Sequence, residues 1–79
     1  GTGSLAEVVT RCLDRYNVSL RGYFDNNEKK WGTRFHDLEI GTPRLVRQSV
    51  VIVASQWKIE ILEQLRRLGY SADAVVTLT

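Results

Sequence analysis

A continuous apolar run at Val50–Ala54 constrains the fold of this 79-residue chain more than any other feature. Its residues are uncharged and mostly β-branched, which is typical of a strand that helices cover on both faces. Ser55 follows as a predicted N-cap, and the apolar spacing over Gln56–Leu68 predicts an amphipathic helix that stops at Gly69. Because a strand that leads directly into a helix begins a crossover connection, the sequence predicts an α/β fold.

The rest of the chain continues this alternation of helices and strands. Apolar residues recur at three- and four-residue spacing over Leu5–Tyr16, which predicts a helix with Ser4 as its N-cap and with Cys12 buried on its apolar face. The order of elements predicts a largely parallel sheet in one domain over residues 1–79. The other predicted elements are strands at Val18–Phe24 and Ala74–Val76, an irregular strand at Phe35–Ile40 and a short helix from Pro43 to Arg47 capped by Thr42.

Composition and charge narrow the classes of protein to consider. The chain is 43% hydrophobic and 25% charged, as in ordinary globular domains. Its net charge is only +2, and basic residues alternate with acidic ones instead of forming the dense stripe expected of a nucleic-acid-binding protein. No apolar run approaches the roughly 20 residues that cross a bilayer, and no signal peptide is evident. We therefore expect a cytoplasmic protein that binds neither nucleic acid nor a membrane.

The first residues have the spacing of a phosphate-binding turn. Gly1, Gly3 and Ala6 match a fingerprint in which one glycine makes the turn, the second admits the pyrophosphate and the third small residue lets helix and strand pack closely. Phosphate would lie at the amino end of the first helix, where unpaired N–H groups favour negative charge. Asp25, nineteen residues after Ala6, is placed to accept hydrogen bonds from ribose hydroxyls. Because its carboxylate is negative, it disfavours a ribose that carries a 2′-phosphate.

Other interpretations of these residues remain open. The segment Gly1–Ser4 can be a linker remnant, or its glycines can serve close packing alone. Asp25 can cap the turn that follows it. Lys29 and Lys30 are expected to lie in a turn that is exposed to solvent. His36 has no partner at the spacing of a metal site or of a nucleophile and its base, so no catalytic or metal-binding residue is predicted.

Several segments together resemble a known family. The chain resembles the Rossmann-like sugar-nucleotide and coenzyme-A-binding-like domains. These domains lie at the front of bacterial nucleotide-sugar acyltransferases and epimerase/dehydratases, beside sugar methyltransferase and glycosyltransferase domains, and in redox-sensing repressors. The resemblance implies a Rossmann-like three-layer sandwich, here without the central strand that normally precedes the glycine turn. We expect that strand to lie upstream in a larger protein or to come from a partner. The segments that carry the resemblance are Gly1–Glu7, Gly22–Asn27, Lys30–Gly32, Ile40–Pro43 and Val50–Ser55.

The resemblance also implies a ligand site. It suggests a module that binds a nucleotide, either NAD(H) or a nucleotide sugar. The module would belong to a larger bacterial sugar-modifying or glycan-biosynthesis protein. Its partner would be a neighbouring domain of that protein or a second copy of the chain. The alternative is a non-catalytic structural or regulatory module that mediates dimerisation or domain positioning. By position, Gly1, Thr2, Gly3 and Ser4 would meet phosphate, Asp25 or Asn26 would meet the ribose or base, and Ala54 and Ser55 would line the same crevice.

Overall fold

A computed structural model describes residues 3–78, which fold as a small mixed α/β protein with two helices and two short sheets. The chain divides into two compact units, Gly1–Pro43 (the first unit) and Arg44–Thr79 (the second unit). The predicted α/β class is confirmed at this level. The prediction of one largely parallel sheet is wrong, because the described strands form two sheets and one of these contains an antiparallel pair.

The first unit contains one helix and a three-stranded sheet. Helix α1 spans Ser4–Arg15, and the strands are β1 (Tyr23–Phe24), β2 (Arg34–Phe35) and β3 (Leu38–Gly41). The sheet order is β1-β3-β2, with β1 parallel and β2 antiparallel to the central β3. A 3₁₀ turn at Glu28–Lys30 lies in the loop between β1 and β2.

The second unit is a strand, helix, strand arrangement. Strand β4 spans Val51–Val53, helix α2 spans Lys58–Leu68 and strand β5 spans Val75–Thr77 after a 3₁₀ turn at Ala72–Ala74. Strands β4 and β5 are parallel, with Val51 opposite Val75. The predicted crossover connection is therefore present here, although β4 is shorter than the apolar run that predicts it and β5 is shifted by one residue.

The ends of α1 differ from the sequence prediction. Gly3, and not Ser4, is the N-cap, and no side chain caps the helix. At the other end Asn17 adopts a left-handed conformation (φ 59°), and the N–H of Val18 donates to the carbonyl of Leu13 at 2.9 Å. This helix-terminating turn uses the N–H of Val18, so the predicted strand does not begin at that residue. Only its last two residues form a strand, β1.

The buried face of α1 is also not the predicted one. Ala6 and Thr10 are its buried residues, and the Thr10 hydroxyl lies 2.9 Å from the hydroxyl of Tyr23. The prediction that Cys12 is buried is wrong, because small and polar side chains face inward and the apolar stripe is exposed. The exposed residues of this stripe, which we call the α1 stripe, are Leu5, Val8, Cys12 and Tyr16.

The predicted irregular strand at Phe35–Ile40 is a hairpin. Its two turn residues, His36 and Asp37, both have positive φ (48° and 63°), the requirement of a type I′ turn. This turn joins β2 to β3 and aligns Phe35 with Leu38.

The short helix predicted from Pro43 to Arg47 is wrong, since the structure has no helix there. The buried Tyr70 explains the difference. Its hydroxyl donates to the carbonyl of Arg44 at 2.6 Å and accepts from the N–H of Val46 at 2.9 Å. These bonds hold the segment extended and use backbone groups that a helix would need.

Helix α2 ends as predicted and starts later than predicted. Gly69 stops it in the left-handed conformation at φ 108°. The Ser55 hydroxyl accepts a hydrogen bond from the N–H of Trp57. Trp57, which the predicted helix includes, is therefore the N-cap, and its side chain is exposed. The carboxylate of Glu63 is bonded to Arg66 at 2.6 Å and to Arg67 at 3.2 Å. These bonds, that of Arg66 above all, lower the pKa of Glu63 to about 2.

Candidate functional site

The amino end of α1 holds the residues of the predicted phosphate turn. Gly3 and Ser4 are exposed there, and the first helical hydrogen bond runs from the N–H of Glu7 to the carbonyl of Gly3 at 3.1 Å. Ala6, the third fingerprint position, is only 4% exposed. Gly1 and Thr2 lie outside the described residues. A first helical turn has N–H groups without partners in the helix, so this end presents donors to solvent.

The two candidate ribose residues directly follow β1. Asp25 is 8% exposed, and its Oδ1 accepts from the N–H of Asn27 at 2.9 Å. Its Oδ2 lies 3.5 Å from Nζ of Lys30, and its carbonyl accepts from the indole N–H of Trp31 at 2.6 Å. The carboxylate of Asp25 therefore caps the turn that follows β1, which is the alternative role that the sequence allows. Asn26 is exposed.

The remaining candidates, Ala54 and Ser55, belong to the second unit. They follow β4 directly and are half-buried. The Ser55 hydroxyl accepts from the N–H of Trp57 at 3.0 Å, so its oxygen shapes the entry into α2. Gly3, Ser4, Asp25 and Asn26 all belong to the first unit.

A charged cluster in the first unit does not follow from the sequence. One carboxylate oxygen of Glu7 is hydrogen-bonded to Nε2 of His36, and the other accepts from Nε of Arg11 at 2.9 Å. The bond to His36 is the main cause of a lowered pKa of Glu7, with Arg11 adding to it. The His36 ring packs edge-on against Phe35 with centroids 4.6 Å apart.

Sequence reasoning missed this cluster because its members are far apart in the chain. Glu7 and Arg11 have the four-residue spacing of a helical ion pair, but His36 lies 29 residues from Glu7 and meets it only through the hairpin turn. Among residues 3–78, no three His, Cys, Asp or Glu side chains come together as a metal site.

Neither described helix is long and apolar enough to cross a membrane. Comparisons of the chain with protein-family models, with curated proteins and with solved structures find no match.

Proposed function

We propose that this chain is a nucleotide-binding module whose phosphate site is the amino end of α1. One observation carries the proposal: an exposed Gly3 leads into a helix whose third fingerprint position, Ala6, is buried at 4%. This is the division of roles that the fingerprint requires, with one open glycine for close approach and one small residue for helix packing.

The backbone around Gly3 supports close approach of a phosphate. A Cβ built on Gly3 has no described atom within 4 Å, so the space above this residue is open. Helix α1 has twelve residues, enough for a dipole whose positive end lies at Gly3 and Ser4. The one acid in its first turn, Glu7, is hydrogen-bonded to His36 and forms an ion pair with Arg11, whose positive charge offsets its negative charge.

The proposed ligand is NAD(H) or a nucleotide sugar without a ribose phosphate, because Asp25 lies at the end of β1. Its bonds to the N–H of Asn27 and to Lys30 hold the carboxylate in a fixed position directly after the strand. The proposal includes a Rossmann-like three-layer arrangement within a larger bacterial sugar-modifying protein. The parallel pairs β1 with β3 and β4 with β5 support it.

Substitution of Asp25 tests the ribose contact. We expect Asp25→Ala to weaken NAD binding by about tenfold, because a hydrogen bond to a charged group contributes roughly 1.5–3 kcal/mol, and to spare NADP. Isothermal titration with both dinucleotides measures the two affinities.

Asp25→Asn is the matched variant, since an amide oxygen can still accept from the N–H of Asn27 and keep the turn closed. It should also weaken NAD more than NADP. Equal losses for the two dinucleotides in both variants would remove Asp25 from the ribose site.

The α1 stripe favours a second candidate function, a structural module that pairs with another copy of this chain. In an antiparallel pair of α1 helices Leu5 would meet Tyr16 of the other copy and Val8 would meet its Cys12. The acidic first turn at Glu7 would then face the basic last turn at Arg15. Self-association would cover apolar side chains that the described chain leaves exposed.

Sedimentation equilibrium distinguishes this candidate. Val8, at 64% exposed, lies on the stripe, so Val8→Glu should convert a dimer to a monomer. Ile59→Glu places the same charge on an exposed residue of α2 and should leave the dimer intact. A wild-type chain that sediments as a monomer at high micromolar concentration would exclude the dimer.

A further inference from the structure

A polar depression lies beside the carboxyl-terminal half of α1, within the first unit. Its volume is about 640 Å³, within the roughly 300–1,000 Å³ range of small-ligand sites. Arg11 and Asp14 border it from α1, the loop at residues 17–20 closes one side, and Tyr23 and His36 contribute from the sheet and the hairpin turn.

The polar groups of this depression are of complementary kinds. Asp14 offers only acceptors, Arg11 offers only donors, and the Asn17 amide and the Ser19 hydroxyl offer both. In the described part of the chain, no hydrogen bond or ion pair engages the side chains of Asp14, Asn17 or Ser19. The fold therefore does not use these groups, and they remain available to a ligand.

The site is held in shape by bonds that do not consume those groups. The N–H of Asn17 donates to the carbonyl of Asp14 at 3.0 Å, which fixes Asn17 in its left-handed conformation. The hydroxyls of Thr10 and Tyr23 bond to each other at 2.9 Å and tie α1 to β1. A ligand here would meet a preformed surface and would not have to order it.

The charges identify the chemical class of the ligand. The side chains of Arg11 and Asp14 line the depression with opposite charges that cancel, so the lining as a whole favours neither anions nor cations. Interspersed donors and acceptors suit hydroxyl groups, each of which donates and accepts. Leu20 and Leu38 add apolar surface that suits the C–H face of such a molecule.

We propose that this depression binds a small neutral polyhydroxylated molecule, either a monosaccharide or an open-chain polyol. Its borders run along the carboxyl-terminal half of α1, whereas the phosphate site of the proposed function lies at the amino end. The two sites are therefore separate, and this inference does not depend on nucleotide binding.

Amide chemical shifts of the full chain test the proposal during separate titrations with D-glucose, D-galactose and glycerol. We expect saturable shifts at Asp14, Asn17 and Ser19 with a Kd on the order of millimolar, since few groups are in contact. The sugars and glycerol distinguish a ring from an open-chain polyol. Sodium sulfate serves as the anion probe.

Two variants locate the binding. Asp14→Ala removes the acceptor and should raise the Kd by about tenfold, and Asn17→Gly removes the amide while glycine keeps the positive φ. Asp73→Ala, an exposed acid of the second unit, is the matched control and should change nothing. The proposal is overturned if no sugar or polyol gives saturable shifts, if sulfate alone saturates the same amides, or if both variants bind as the wild type does. A chain that binds glucose here but no nucleotide would leave this inference standing and contradict only the proposed function.

Discussion

Replacing Leu65 by alanine is expected to lower the free energy of unfolding of the second unit by about 2–5 kcal/mol. Leu65 is only 2% exposed and is the buried residue of α2. Truncation removes apolar surface from the core and leaves a cavity in a unit whose other described buried residues are Val53 and Tyr70. Small domains have total stabilities near the low end of roughly 5–15 kcal/mol, so the variant should retain at most about 3 kcal/mol of that stability.

Urea denaturation followed by circular dichroism measures this effect. Ile59→Ala is the control, because Ile59 lies on the same helix and is 76% exposed. We expect its stability to stay within about 0.5 kcal/mol of the wild type. If Leu65→Ala lost no more than Ile59→Ala, then Leu65 would not be a core residue and the described packing of α2 would be wrong.

Gly3→Val is expected to weaken nucleotide binding by about a hundredfold, or about 2.8 kcal/mol, without unfolding the chain. The backbone of Gly3 has φ −87° and ψ −164°, which any residue can adopt, and an added Cβ meets no described atom within 4 Å. The fold therefore tolerates a side chain here. A phosphate that approaches the backbone of Gly3 does not tolerate one, because the valine methyl groups would occupy the phosphate position.

The control places the same side chain at a comparable position elsewhere. Ser71 precedes the 3₁₀ turn at Ala72–Ala74 with extended backbone (φ −75°, ψ 158°), and Ser71→Val should bind nucleotide as the wild type does. Circular dichroism of both variants should match the wild type. Unchanged affinity in a folded Gly3→Val protein would remove the amino end of α1 from the site.

Elements with a long local pattern were predictable from the sequence. The apolar spacing over residues 56–68 and the stop at Gly69 gave α2 to within two residues at its start, and β4 lies inside Val50–Ala54. These patterns reflect interactions between residues that are close in the chain, and distant contacts do not change the elements that they predict here. The positions of Gly3 before α1 and of Asp25 after β1 also follow the prediction.

Features that depend on distant contacts were not predictable. The hydroxyl of Tyr70 holds the backbone of Arg44 and Val46 extended from 24 to 26 residues away, which no local pattern in that segment signals. The pairing of Glu7 with His36 depends on a type I′ turn that contains no glycine, the usual signal for such a turn. The periodicity of α1 also identified its apolar side. It did not show that the side with Ala6 and Thr10 is the buried one.

The central claim is that this chain binds a nucleotide, and calorimetric titration of the full chain with NAD, NADP, UDP-glucose and coenzyme A tests it most directly. Saturable heat with NAD or UDP-glucose, weaker with NADP, is the result that we predict, because Asp25 disfavours a ribose phosphate. A folded chain that gives no saturable heat with any of the four ligands would contradict nucleotide binding and favour the structural module built on the α1 stripe.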